Sequence, residues 1–250
     1  MSDIALVMPM AGRGSRFTDL GIKEPKPLID LKGRPFFWWA TESVRRTVQV
    51  REMVFVVLAE HCEQFDIHKR ITEFYPDAQI VTITDVTSGA AETAQIGLAV
   101  VRSKGPVAIN DCDHAFISHD LAGAAASLMT SASGALLCFR SDSPAYSYVK
   151  LGPSGEIVGT VEKKVVSPYA IAGCYLFSSP AVFGGLYDTY RSTCTYDELF
   201  VSGLYDLLAA RGEKVLKLEA EQHCSFGTPE ELSVIVDAEF HRFLVWKDSA

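Results

Sequence analysis

Three places in this sequence hold residues suited to handling phosphate. The first is Met10-Ala11-Gly12-Arg13-Gly14-Ser15-Arg16, which follows an apolar run at 4–8. A glycine-bearing turn after a buried strand exposes consecutive backbone N–H groups, and such a concavity binds anions. Gly12 and Gly14 let phosphate oxygens approach the main chain, and Arg13 or Arg16 adds charge-assisted hydrogen bonds. No Gly-Lys-Ser/Thr follows, so this is not a P-loop, and Phe17 stands where a dinucleotide fingerprint has its third glycine. A solvated surface turn is the plain alternative. The second place is Lys26, held between Pro25 and Pro27. Flanking prolines restrict the backbone and reduce the entropy lost in fixing a lysine. The third is Asp111-Cys112-Asp113 at the end of another apolar run. With strand alternation both carboxylates face one side, which suits a shared divalent cation, though a solvated strand end has the same composition.

The elements that would carry these residues alternate. Strand-like runs at 4–10, 53–59, 78–84 and 106–111 are interleaved with helical spacing at 35–48, 62–75 and 91–103. Such alternation implies a parallel sheet with helices on both faces, and ligands then bind beyond the carboxyl ends of the strands. The glycine loop and the acidic pair both fall there. After about residue 115 the pattern loosens. Strands are expected at 134–140, within 146–163 about a Gly-Pro-Ser-Gly turn, at 169–178 and at 214–220. Helices are expected at 180–191, at 196–211 and over a last run from 229 to about 246. The reading is one domain over 1–250, with a nucleotide half to about 115 and an acceptor half from 116 to about 236. Its fold class is α/β, a mostly parallel, doubly wound mixed sheet. Trp38 and Trp39 fall on the first helix and read as core.

Composition removes several classes. A formal net charge of −8 argues against a broad nucleic-acid footprint. No stretch of about 18 apolar residues exists to span a membrane. Six scattered cysteines without a close pair read as reduced thiols, and the N-terminus lacks a signal-peptide pattern, so a cytoplasmic protein is expected. The histidines show no metal spacing, and only His114 and His223 lie near the site. A homo-oligomer stays open.

In order along the chain, Gly12-Arg13-Gly14-Ser15-Arg16, Pro25-Lys26-Pro27-Leu28 and Gly33-Arg34-Pro35 resemble the sugar-1-phosphate nucleotidylyltransferases, the family that makes nucleoside-diphosphate sugars. Ser88-Gly89-Ala90-Ala91-Glu92, Asn110-Asp111-Cys112-Asp113, Val161-Glu162-Lys163, the strand 169–177 with Gly173, and Gly227-Thr228-Pro229-Glu230-Glu231-Leu232 extend the resemblance to about residue 236. It implies a Rossmann-like fold of the GT-A type. It also implies attack by a phosphate-monoester oxygen, in the simplest case a sugar 1-phosphate, on the α-phosphorus of a nucleoside triphosphate. Pyrophosphate leaves, and the product is an NDP-sugar of the kind used for surface polysaccharides. The nucleophile is already ionised, so positioning and electrostatics carry the catalysis.

By this resemblance Arg16 and Lys26 are catalytic, on the leaving pyrophosphate and near the α-phosphate. The nucleotide contacts are Met10 to Arg16, Lys26, Asp85, Ser88 and Gly89. Ser147, Glu162, Lys163 and Gly173 face the acceptor. Mg²⁺ sits on Asp113, with Asp111 direct or one layer out. Asp85 stands where uridylyl- and thymidylyl-transferring relatives often place glutamine; a carboxylate only accepts hydrogen bonds, which favours cytosine or guanine. Three departures stand out: Ala11 for a frequent glycine, Ser147 where a glycine follows the tyrosine, and Ser225 where a second metal carboxylate is common. A GT-A glycosyltransferase, which also has an α/β nucleotide half and a central Asp-x-Asp, stays an alternative, and the missing carboxylate keeps a non-catalytic nucleotide-binding regulatory homologue as another.

Overall fold

The computed structural model describes residues 3–235 and 237–249. β1 (Asp3–Pro9) runs into the glycine loop, a single helical turn α1 (Ser15–Thr18), and a 3₁₀ turn at Lys26–Leu28. A small ribbon, β2 (Asp30–Leu31) and β3 (Arg34–Pro35), leads to α2 (Phe36–Arg45). β4 (Gln49–Leu58), α3 (Ala59–Phe65), α4 (Ile67–Phe74), β5 (Gln79–Ile83), α5 (Ala90–Leu98) and β6 (Val107–Asn110) complete the alternating half. The expected single helix over 62–75 is two, broken where Asp66 adopts left-handed backbone at φ 52°.

The second half departs further from the sequence pattern. β7 (His114–Ile117) and α6 (Asp120–Leu128) occupy a stretch in which no element was expected. β8 (Gly134–Arg140), the hairpin β9 (Tyr148–Leu151) and β10 (Ile157–Val161), β11 (Tyr169–Phe177) and α7 (Pro180–Thr193) follow as the patterns imply. The expected helix over 196–211 shrinks to α8 (Leu204–Ala210), because 195–200 is spent as a strap against the turn before α5. β12 (Val215–Glu219) is followed by β13 (Gln222–Ser225), four residues too short to show a period. The expected last helix is α9 (Pro229–Ser233) and α10 (Asp237–Leu244), with the helix interrupted at 234–235 and α10 continued by a 3₁₀ turn.

The sheet order is β10-β9-β11-β6-β1-β4-β5, and β8 joins β11 to β12. β6, β1, β4 and β5 are parallel, and β11 lies antiparallel to β6, so the sheet is mixed but mostly parallel in its nucleotide half. Alternation along β1 divides the core. Ile4, Leu6 and Met8 face α2, α4 and α6, while Ala5 and Val7 face α5 and α7. Trp39 is fully buried among Trp38, Phe240 and Trp246, and its indole N–H donates to the Leu31 carbonyl at 2.8 Å. Burying such a ring requires a partner for that N–H, and the β2–β3 ribbon supplies it. No helix among the described residues is long and apolar enough to cross a membrane.

Candidate active site

The glycine loop, the proline-flanked lysine and the acidic strand end meet at the carboxyl ends of β1 and β6. They line a cleft of about 570 Å³, with Val86, Thr87, Gly89, Glu198, Phe200 and Gly227 on its other walls. The Met10 N–H donates to the Val56 carbonyl at 2.8 Å, which anchors the loop to β4. Met10 and Ala11 are buried, whereas Gly12, Arg13, Ser15 and Arg16 are exposed to the cleft. Gly14 has φ 62°, and a Cβ there would lie 3.0 Å from Lys26 Cβ. The second glycine thus lets the loop close onto Lys26. At Gly12 a Cβ would meet nothing within 4 Å, so its bare backbone faces open space.

Lys26 Nζ lies 2.5 Å from Asp113 Oδ2. Burial is the largest influence on the ammonium and would pull its pKa down, but the Asp113 charge and hydrogen bond, with Cys112 and Asp111 beside them, together outweigh it and the net shift is upward. Burial would likewise raise the Asp113 carboxyl, yet Lys26, with help from His114, holds it well below the carboxylate range. Asp111 goes the other way: burial pushes its carboxyl up and the neighbouring Asp113 charge pushes it further, against Lys26. Two acidic side chains therefore crowd one ammonium, and a divalent cation beside them would favour the ionised form of both.

Bare glycines keep that space open. At Gly173 (φ 66°) a Cβ would sit 3.0 Å from His114 Nε2 and 3.1 Å from Asp111 Oδ2; at Gly227 it would sit 2.5 Å from Asp113 Oδ2. The oxygen donors and the glycine cradle fit a divalent ion such as Mg²⁺. Gly173 lies where the β11–β8 register shifts between Ile171 and Tyr175, and its carbonyl accepts the Asp111 N–H at 2.8 Å. That bulge aims the strand ends at each other.

The other expected residues fall in two groups. Ser147 Oγ donates to Glu162 Oε2 at 2.8 Å, and Ser202 Oγ donates to the other Glu162 oxygen. Lys163 has left-handed backbone (φ 52°) and its ammonium lies 5.6 Å from the Phe200 ring centre, above the cleft wall. Ser147, Glu162, Lys163 and Gly173 do not line the cleft themselves; Gly173 lies against Asp111, and Lys163 approaches the cleft through Phe200. Asp85 is not brought in: it is exposed, accepts from its neighbour Thr84 at 2.8 Å, and does not line the cleft, and nor does Ser88. Gly89 has a packing reason for being glycine. A Cβ there would lie 2.5 Å from the Leu199 N atom, since the 195–200 strap pairs with this turn through Leu199 N–H to the Ser88 carbonyl and Ala91 N–H to the Leu199 carbonyl.

Some neighbours were not anticipated from the sequence. Tyr146 donates to Glu231 Oε1 at 2.6 Å. The other Glu231 oxygen accepts the Thr228 N–H, and Thr228 Oγ1 accepts the Glu231 N–H, a capping box that opens α9. Gly-Thr-Pro-Glu-Glu is therefore a helix start that sets Gly227 against Asp113. A Ser/Thr three residues before Glu is a readable signal for that cap. Glu198 and Phe200 carry no local signal, because they arrive from a strap with no regular structure.

The sequence matches the profile of the MobA-like NTP transferase domain over residues 6–182. In structure the chain is similar to a nucleoside-diphosphate-sugar pyrophosphorylase from Vibrio cholerae RC9, with TM-score 0.77 and 22% identity over 96% of this chain and 99% of that one. It is also similar to the inositol-1-phosphate CTP transferase from T. maritima, with TM-score 0.73 and 16% identity over 98% and 95%. At these identities the likeness is one of fold. Among curated proteins none matches in sequence.

Proposed function

Because the chain belongs to the MobA-like NTP transferase domain family, we propose that it transfers a nucleoside monophosphate from a nucleoside triphosphate to the phosphate of a small acceptor, a sugar 1-phosphate or a similarly phosphorylated polyol. The observation that carries this reading is the Lys26–Asp113 pair at 2.5 Å beside an open glycine loop. An acceptor phosphate oxygen attacks the α-phosphorus, the bond from that phosphorus to the β-phosphate oxygen breaks, and pyrophosphate leaves with the electron pair.

The chain's own residues do three things in this reaction. The loop N–H groups and Arg16 hold the β- and γ-phosphates, so the leaving group is already paired as its charge grows. Lys26 neutralises Asp113 until the triphosphate arrives, then turns to the α-phosphate oxygens. Lys163, on its left-handed backbone, approaches the acceptor phosphate from above Phe200, with Glu162 oriented by Ser147 and Ser202 toward the acceptor's hydroxyls. A divalent cation on Asp113 and Asp111, when bound, would screen the triphosphate oxygens from the attacking phosphate.

An NDP-sugar-type product would suit surface polysaccharide synthesis. The likeness to a sugar pyrophosphorylase and to an inositol-1-phosphate transferase supports both acceptor classes equally. The test is pyrophosphate release from each of the four triphosphates against a panel of sugar 1-phosphates and polyol phosphates. Acceptor-dependent pyrophosphate is expected. Its absence throughout, or cleavage of an NDP-sugar instead, would overturn the proposal.

A further inference from the structure

The missing carboxylate at Ser225 has a neighbour that changes the character of the site. β13 pairs antiparallel with β7, and Ser225 stands directly opposite His114. Cross-strand partners share a face, so the imidazole of His114 occupies the side of the ribbon on which Ser225 sits. His223, diagonal to it on the same face, brings its Nε2 to 2.7 Å from His114 Nδ1. The other His114 nitrogen looks into the acidic cluster. Nε2 is 3.3 Å from Asp113 Oδ1, and donor atoms of Asp111, Asp113 and His114 all lie within 4.8 Å of one another. His114 is 8% exposed, so this nitrogen has little access to water.

We propose that the site takes a first-row transition-metal dication in preference to Mg²⁺, with His114 Nε2 as a nitrogen ligand beside the Asp111 and Asp113 carboxylates and His223 fixing the ligating tautomer. It rests on the reading of the two aspartates as the cation site. Three observations carry it. The convergence point beside Gly173 is kept free of a Cβ that would touch both His114 Nε2 and Asp111 Oδ2. The His114–His223 contact sets two imidazole nitrogens 2.7 Å apart, so one of them must donate and the other accept. When Nε2 gives its lone pair to a metal, the proton resides on Nδ1 and is donated to His223 Nε2. This is the arrangement by which an outer partner orients a histidine ligand. His223 is itself stacked on Phe139 with ring centres 3.7 Å apart, which holds the relay rigid. Ligand chemistry sets the choice of metal. Mg²⁺ selects oxygen donors, whereas an imidazole among carboxylates favours Mn²⁺, Co²⁺ or Zn²⁺. Ser225 offers no charge, and the imidazole beside it replaces the donor without replacing the charge.

Mn²⁺ alone is the probe. Electron spin-echo modulation of Mn²⁺ on the wild-type protein should show a coupled ¹⁴N, converted to the ¹⁵N pattern when only histidine is ¹⁵N-labelled. Mn²⁺ should bind at least about tenfold more tightly than Mg²⁺ in competition. His114→Ala, folded by circular dichroism, should lose the coupling and most of the Mn²⁺ preference. His223→Phe, which preserves the stack on Phe139, should keep the coupling but weaken Mn²⁺ by about 10- to 100-fold. Mn²⁺ that shows no histidine nitrogen in the wild type, that fails to bind, or that keeps its coupling in His114→Ala overturns the inference. Pyrophosphate release is read separately: with it and without the nitrogen, the inference fails and the transferase reading stands; with the nitrogen and without pyrophosphate, the ligand stands and the reaction fails.

Discussion

Lys26 faces Asp113 in the free protein and, in the proposed reaction, a phosphate once substrate is bound. The 2.5 Å pair explains why a lysine between two prolines is useful here: the ammonium is held where the triphosphate must pass. Lys26→Ala should lower kcat by about 10²-fold or more, as for loss of an electrostatic stabiliser, and Arg16→Ala should do the same. Arg16 is exposed on the single helical turn α1, so its loss should leave the unfolding midpoint nearly unchanged. Steady-state kinetics beside a urea melt read both effects; wild-type turnover in Lys26→Ala would sink the transfer mechanism. The two aspartates should also separate. Asp113→Asn removes the partner of Lys26 and most activity, while Asp111→Asn, whose side chain burial and Asp113 already push toward the neutral form, should be milder. Equal loss in both variants would place the cation symmetrically between them.

At the scale of elements, the site depends on a turn, a helix start and a strand bulge. The turn before α5 is closed by the 195–200 strap, and Gly89 leaves room for the Leu199 backbone. Gly89→Ala adds a Cβ at 2.5 Å from that backbone and strains a φ of 149°, so about 1–3 kcal/mol of destabilisation is expected. The check is the urea midpoint, with nucleotide affinity falling alongside because Glu198 and Phe200 belong to the same strap. A midpoint equal to wild type would show that the strap moves freely. The start of α9 is the second case. Thr228→Ala breaks the capping box and should cost about 1 kcal/mol, with Thr228→Ser restoring most of it. The third case is the bulge at Gly173 within β11, where the same bare Cα serves both the sheet and the space beside Asp111.

The candidate active-site cleft takes its walls from both halves of the chain, so ligand binding there should stabilise the entire fold. A triphosphate at about 100 times its Kd should add about 2.7 kcal/mol, and thermal shifts across the four triphosphates rank the base preference directly. CTP or GTP is expected to lead if Asp85 reads the base, and Asp85→Asn should then compress the ranking; a lead for UTP or dTTP would dismiss that role for Asp85. Much of this was legible in the sequence. Period-two and period-3.6 patterns of β1 to β6 are local, and so are the glycine loop, Pro25-Lys26-Pro27 and the acidic strand end; hydrophobic burial and backbone stereochemistry determine them without reference to distant residues. The contacts that complete the site are not local. β7 and β13 are four residues each and gain their ladder only from one another, the 195–200 strap is held by Ser88 and Ala91, and His114 meets His223 across 109 positions of sequence. Short segments of mixed polarity carry too little burial of their own to specify a structure. Only the tertiary fold, by pairing their backbone groups out of water, decides where their side chains point.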